Sequence, residues 1–179
     1  GGVLIHRATA ERPQQEIRRP AEVLRLLDRE YPIERVNKLF TITYIILNVK
    51  EGRVSYSNAA HPPPILLHRD GRLDLLEEGG TIIGLGGVLP FEEGEKGIDP
   101  GDKLFIYTDG IPEAINDQRV EYSNRRLENI IKKNRHLTTE EFAEAIINDV
   151  RQFIGNEPLA DDITCLVIEL ARDEAIDLI

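Results

Sequence analysis

Two acidic segments of the sequence adjoin apolar runs that are typical of buried strands. Asp109 follows the apolar residues of FIYTDG, and the pair Asp161 and Asp162 comes just before ITCLVIEL. The first strand should end at Asp109, and the second should begin after Asp161 and Asp162. If these strands are antiparallel neighbours, the carboxylates lie at one edge of a sheet, where oxygen ligands suit Mg²⁺ or Mn²⁺.

Spacing alone leaves a second interpretation of these acids open. An Asp at the end of a strand is often a turn former or a solvated cap. Gly110 and Pro112 break the apolar pattern directly after Asp109, as turn residues do. Thr108 is an ordinary strand residue in this pattern.

The elements that must position these acids follow from periodicity and turn residues. A helix is predicted from Pro20 to Tyr31, with Pro32 limiting it. Alternating apolar residues, with turns at Lys50–Gly52 and Asp70–Gly71, predict two hairpins. The predicted strands of these hairpins are LFTITYIILNV, GRVSYSNAA, PILLHR and RLDLLEE.

The second half of the chain adds two strands and two helices. A turn at Asp99–Asp102 precedes the strand KLFIYT, and the last predicted strand is Ile163–Leu170. Helices are predicted at Arg125–Asn134 and after Thr138, where Thr138 and Glu141 match a capping box and Gly155 a C-terminal cap. Hairpins with grouped helices predict an α+β layered domain on largely antiparallel sheet.

Composition excludes several classes of partner. The formal charge of −10 disfavours nucleic acid and an anionic membrane surface, since both attract clustered Lys and Arg. The single cysteine, Cys165, is predicted to be a small core residue, which fits a reducing cytoplasm. No apolar stretch reaches the length of a membrane span. The sequence has no Met, which indicates an excised fragment or the loss of Met positions.

Four motifs in series resemble one family. YSNAAHPPPILL, GGTIIGL, DPGDKLFIYTDGIPEA and ADDITCLVIEL are similar, in this order, to the SpoIIE-type branch of the protein phosphatase 2C class. These enzymes are metal-dependent serine/threonine phosphatases that act on anti-sigma-factor antagonists in bacterial signalling. The resemblance covers roughly residues 20–171 and implies an αββα sandwich with two Mn²⁺ or Mg²⁺ ions at one edge.

The resemblance assigns roles to residues of these motifs. Asp109 and Asp161 match metal ligands of the family, and Asp162 is a weaker candidate that trims the site or orients a ligand. Gly110 matches the glycine of the TDG motif and would let the chain turn tightly beside the metals. Metal-activated water would then hydrolyse the phosphoester, and no protein nucleophile is required.

One element of the family pattern is missing from the sequence. Nothing matches the D-x-x-G-H-G motif, which supplies a further metal ligand, so we expect that the N-terminal strands and a helix of the domain precede this chain. Residues 1–19 are then a loop or an incomplete lead-in, residues 20–171 the C-terminal part of the phosphatase domain, and residues 172–179 a tail. Uncovered sheet edges would favour a homodimer. A second departure is Ser123, where the family usually has Gly.

Other polar residues have simpler explanations. His61, in NAAHPPP, is interpreted as a structural residue that bonds its loop, with a supporting role in catalysis as the alternative. His68 and His136 are predicted at the surface, Asp99 and Asp102 as turn acids, and Glu92–Lys96 as a solvated loop. The glycines Gly84, Gly86 and Gly87 suit a flap or tight turn better than a phosphate cradle, because no lysine or helix start follows them.

The sequence therefore predicts part of a metal-dependent phosphoserine/phosphothreonine protein phosphatase. Its expected substrate is a phosphorylated regulatory protein, and an upstream sensor or receiver domain is expected to control it. The alternative is a catalytically inactive fragment or degenerate domain that acts as a binding or assembly module, because the D-x-x-G-H-G motif is absent.

Overall fold

The computed structural model describes residues 5–7, 15–159 and 161–171. Its helices are α1 (Pro20–Glu30), α2 (Ile33–Val36), α3 (Asn124–Lys133) and α4 (Thr139–Ile154). Its strands are β1 (Ile5–Arg7), β2 (Gln15–Ile17), β3 (Ile42–Asn48), β4 (Arg53–Ala59), β5 (Ile65–Leu67), β6 (Leu73–Leu75), β7 (Gly79–Gly80), β8 (Gly94–Gly97), β9 (Lys103–Tyr107) and β10 (Cys165–Glu169). The predicted tail, residues 172–179, lies outside the described residues.

Helix α1 forms as predicted. Pro20 occupies its first turn, where a missing N–H costs nothing, and the helix ends before Pro32. Its buried face carries apolar residues at helical spacing, including Ala21 and Leu24, and these pack with Ala59 and Phe91. The short helix α2 follows, and periodicity did not predict it because one turn is too short to show a period.

The hairpin of β3 and β4 is confirmed, with Ile42 opposite Ala59 and Asn48 opposite Arg53. The other edge of β4 pairs with β7 in parallel and with β8 antiparallel. Strand β8 corrects the prediction of a solvated loop at Glu92–Lys96. A polar segment can form this edge strand because backbone groups supply the pairing, while the Glu95 carboxylate accepts a hydrogen bond from the Arg53 guanidinium at 3.1 Å.

A four-stranded antiparallel sheet, in the order β10-β9-β5-β6, carries the two acidic segments. Helices α3 and α4 bury their apolar faces in the same core as this sheet. The members of that core are Ile65, Leu67, Phe105, Tyr107, Ile111, Ala114, Tyr122, Leu127, Ile131, Phe142, Ile146, Val150 and Ile154.

Helix α4 has the ends that its sequence predicts. The backbone N–H of Glu141 donates to the Thr138 hydroxyl at 3.3 Å, and the N–H of Thr138 donates to the Glu141 carboxylate at 3.1 Å. This reciprocal pair is the predicted capping box. Gly155 follows the last residue with a φ of 67°, which favours glycine.

The prediction of His68 at the surface is wrong, whereas Asp102 lies in the predicted turn and is buried as well. His68 is 8% exposed and Asp102 is 2% exposed. The Nδ1 atom of His68 lies 2.8 Å from the Asp102 carboxylate, and its Nε2 lies 3.1 Å from that of Asp74. The Asp102 carboxylate also accepts the N–H groups of Arg69 and Asp99, so this turn acid is buried because its hydrogen bonds are satisfied.

The described residues form two compact units. The first contains β1–β4, β7, β8, α1 and α2, and the second contains β5, β6, β9, β10, α3 and α4. Strands β1 and β2 pair antiparallel within the segment predicted as a loop or incomplete lead-in. Sheets in both units are largely antiparallel, so the predicted α+β class is confirmed. Among the described residues, no helix is long and apolar enough to span a membrane.

Ser123, the residue before α3, has φ 74° and ψ 152°, a conformation that is essentially restricted to glycine. We expect Ser123→Gly to raise the free energy of unfolding by about 1 kcal/mol. This value is the strain relieved in the folded state less the entropy that glycine adds to the unfolded chain. Chemical denaturation measures this change. Ser123→Ala is the control, since it keeps the Cβ and therefore the strain. Equal stability of the glycine and alanine variants would contradict the assignment of strain.

Candidate metal centre

The pairing of β9 with β10 brings the two acidic segments to one edge of the sheet. Tyr107, the last residue of β9, lies opposite Cys165, the first residue of β10. Asp109 therefore follows one strand at the edge where Asp161 and Asp162 precede the other. The antiparallel arrangement that the sequence analysis required is present.

Thr108 joins the two segments directly beyond the paired strands. Its N–H donates to the carbonyl of Thr164 at 3.1 Å, and its hydroxyl accepts the N–H of Thr164 at 3.1 Å. The same hydroxyl donates to the carbonyl of Asp162 at 3.0 Å. Thr108 is thus a positioning residue that the sequence analysis treated as ordinary, and only its place between the strand and the acid could have indicated this role.

Gly110 lets the two segments approach each other closely. A Cβ atom at this position would lie 2.5 Å from the carbonyl oxygen of Asp162, which is closer than real Cβ contacts. The φ angle of Gly110 is not among the positive values of the chain, so space and not a left-handed turn requires glycine here.

The chain turns sharply after Asp109 and leaves its carboxylate at the edge. The N–H of Ile111 donates to the carbonyl of Thr108 at 3.1 Å, and the N–H of Glu113 donates to the carbonyl of Asp109 at 3.0 Å. Ile111 is fully buried and anchors this turn in the core. The Asp109 side chain is exposed, and no described residue donates a hydrogen bond to its carboxylate.

The other two acids are also exposed, with different local partners. The Asp161 carboxylate accepts the N–H of Asp162 at 2.7 Å, which fixes its orientation relative to the backbone. The Asp162 carboxylate has no hydrogen-bond donor among the described residues. Three acids at one edge repel one another, and a bound divalent cation would offset that repulsion.

These residues fit a hard divalent cation in the type of donor but not in number. Carboxylate oxygens are the ligands that Mg²⁺ and Mn²⁺ prefer. Within residues 5–7, 15–159 and 161–171, no group of three or more His, Cys, Asp or Glu side chains is arranged to hold a metal ion. The described residues therefore supply part of a coordination shell.

A groove of about 750 Å³ lies beside Asp162, between the C-terminal half of α4 and the start of β10. Its walls combine the apolar side chains of Ile147, Ile154 and Ile163 with the charged side chains of Arg151 and Glu157. Cys165 also lines the groove, and burial raises the pKa of its thiol. A thiol with a raised pKa is a poor nucleophile at neutral pH, so this cysteine is not suited to covalent catalysis.

His61 belongs to the first unit, as do the residues that form hydrogen bonds with it. Its Nδ1 atom lies 3.0 Å from the Thr41 hydroxyl, and its N–H donates to the Asn58 side chain at 2.9 Å. The Asn58 amide in turn donates to the His61 carbonyl at 2.8 Å. These bonds support the structure of the loop around His61.

Comparison with curated proteins identifies relatives that are similar in sequence. The chain is 28% identical over 97 residues to phosphoserine phosphatase RsbP of Bacillus subtilis, which covers 51% of this chain and 24% of RsbP. The chain spans about a quarter or less of the curated relatives that it matches.

Solved structures of phosphatase domains share the fold. The SiaA-PP2C domain of Pseudomonas aeruginosa superposes with a TM-score of 0.72 at 19% identity, over 86% of this chain and 61% of that domain. The manganese-presoaked phosphatase domain of SpoIIE from Bacillus subtilis gives a TM-score of 0.59 at 18% identity, over 74% of this chain and 57% of that domain. At these identities the likeness establishes the fold alone.

A match to a family model agrees with both the motif series and the fold. The model described as Stage II sporulation protein E (SpoIIE) matches residues 3–171, which include both acidic segments and every described element from β1 to β10. The chain therefore belongs to the SpoIIE family.

Proposed function

We propose that this chain carries part of a metal-dependent phosphoserine/phosphothreonine protein phosphatase of the PP2C class. The observation that supports this proposal most directly is the register of β9 and β10, which brings Asp109 and the pair Asp161–Asp162 to one sheet edge. Residues 20–171 are proposed to form the part of the phosphatase domain that contains this edge. Membership of the SpoIIE family supports the reaction class.

The proposed site holds two divalent cations, Mn²⁺ or Mg²⁺, with Asp109 and Asp161 as ligands from this chain. Bound metal ions of this kind supply a water of lowered pKa and neutralise phosphate oxygens. Asp162, whose carboxylate is exposed, is the further candidate ligand. Thr108 and Gly110 act by positioning, because they hold the backbones of the two acidic segments together.

A phosphorylated regulatory protein, such as an anti-sigma-factor antagonist, is the proposed substrate. The groove beside Asp162 supports a protein substrate, because its apolar walls could accept side chains next to a phosphorylated residue. The relative RsbP is named a phosphoserine phosphatase, which agrees with this class of substrate. We also propose that an upstream sensor or receiver domain controls the phosphatase and that the protein forms a homodimer.

One observation favours a second candidate, a binding or assembly module without catalysis. The described residues contain no three-ligand metal cluster. A domain that binds a phosphoprotein but does not hydrolyse it would have the same fold. Hydrolysis by the full-length gene product distinguishes the two candidates.

Replacement of Asp109 or Asp161 by Asn tests the proposed ligands. In the full-length gene product, each change should lower Mn²⁺-dependent hydrolysis of a phosphoserine protein at least about 100-fold, because each removes a charged metal ligand. Phosphate release measures the rate. Asp117→Asn, at an exposed turn acid outside the motifs, is the control and should keep the parent rate. Full activity of the Asp109 or Asp161 variants would refute the assignment.

Thr108→Val tests the link between the acidic segments. Valine keeps the shape but removes the hydroxyl, and leaves the carbonyl of Asp162 and the N–H of Thr164 without that partner. We expect a loss of about 1–3 kcal/mol in unfolding free energy and a lower rate of metal-dependent hydrolysis. Thr164→Val is the matched control, because no described residue bonds its hydroxyl. If the two valine variants behave alike, Thr108 does not position the site.

Gly110→Ala tests the close approach of the same segments. The added Cβ must displace the backbone at Asp162, so we expect a loss of about 1–3 kcal/mol in stability together with a large loss of activity. Gly97→Ala is the control, since no atom lies within 4 Å of a Cβ placed there. Thermal denaturation and phosphatase assays of both variants give the comparison. A fully active Gly110→Ala protein would show that the contact is unimportant.

A further inference from the structure

The glycine loop, residues Gly84–Gly87, contains three glycines in a backbone conformation that other residues rarely adopt. The φ angles are 123° at Gly84, 71° at Gly86 and 85° at Gly87. Leu85 lies between two of these glycines without a positive φ, and such an alternation of backbone conformations turns neighbouring N–H groups toward a common point, which creates a concave site for an anion. The sequence analysis considered this loop as a phosphate cradle and favoured a flap or tight turn.

The anion in this concave site is a side chain of the protein itself. Asp28 of α1 is 1% exposed, and its Oδ1 atom accepts the N–H of Gly84 at 2.6 Å and that of Leu85 at 2.8 Å. Its Oδ2 atom accepts the N–H of Gly87. Burial of a carboxylate is costly unless hydrogen bonds compensate it, and three backbone donors do so here.

The contacts on either side of the loop also involve α1 and α2. Ile83 and Phe91, which precede and follow the loop, are buried in one cluster with Ala21 and Leu24 of α1. The N–H of Ile33 in α2 donates to the carbonyl of Gly84 at 2.8 Å. The flanks are therefore held by apolar packing, and the centre is held by the Asp28 carboxylate.

The residues after the loop are apolar and exposed. Val88 is 76% exposed and Leu89 is 49% exposed, directly beyond the last N–H that Asp28 accepts. The hydrogen bonds of Asp28 thus fix the conformation of the backbone that presents these two side chains to solvent.

We propose that Asp28 is a carboxylate latch that fixes the glycine loop, and that the loop N–H groups form an anion site that accepts a small external carboxylate when the latch is removed. The latch and the glycine loop both belong to the first unit. Its signal in the sequence is the helical spacing of Asp28 with Ala21 and Leu24, which places an acid on the buried face of α1.

Hydrogen exchange of Asp28→Ala, measured by NMR on this chain, tests the latch. We expect the amides of Gly84, Leu85 and Gly87 to exchange about 10- to 100-fold faster than in the parent, because each loses a charge-assisted hydrogen bond. Sodium formate should restore much of their protection, whereas sodium chloride at the same ionic strength should not. Asp102→Ala is the control, since it removes another buried carboxylate that accepts backbone N–H groups.

Three results would overturn the proposal: parent-like exchange of the three amides in Asp28→Ala, an equal acceleration throughout α1 and β4, or no protection by formate. Asp28→Asn covers the case in which the alanine variant does not fold. It keeps the size of the side chain and one acceptor oxygen, so its three amides should exchange at rates between those of the parent and the free loop. Parent-like rates in Asp28→Asn would then overturn the latch.

Discussion

The register between β9 and β10 is the constraint on which the acidic edge depends. A shift of this pairing by one residue would turn every side chain of the shifted strand to the opposite face of the sheet and would displace Asp109 relative to Asp161. Two kinds of contact hold this register. Phe105 and Tyr107 of β9 are packed in the core, and Thr108, directly after β9, forms hydrogen bonds with the segment before β10. Packing and polar contacts therefore specify the same alignment.

The elements that the sequence predicted best are those with a strong local signal. The capping box at Thr138 and Glu141 and the alternation in β3 and β4 each encode structure over a few residues. The strand β8 has no such signal, because its polar residues pair through the backbone with a segment distant in the sequence. Burial of His68 likewise depends on Asp102, which only the folded chain brings near.

The acidic segments were predictable to different extents. Adjacent apolar runs indicated that Asp109 and Asp161 stand at strand ends, and antiparallel pairing was a condition that the sequence could state but not verify. The roles of Thr108 and Gly110 depend on backbone contacts across two strands, and side-chain type alone does not reveal such contacts. Asp28 was missed because an acid within a helix is usually solvated.

The two units are interleaved along the chain, since β5 and β6 belong to the second unit although they lie between elements of the first. Ile65 of β5 pairs with Phe105 of β9, so the sheet that contains β5 cannot be completed until β9 has been synthesised. During synthesis, the apolar β5 hairpin is therefore exposed while β7 and β8 are still being made, and neither unit can be produced as one continuous segment. Such non-local pairing slows folding and favours aggregation of the nascent chain.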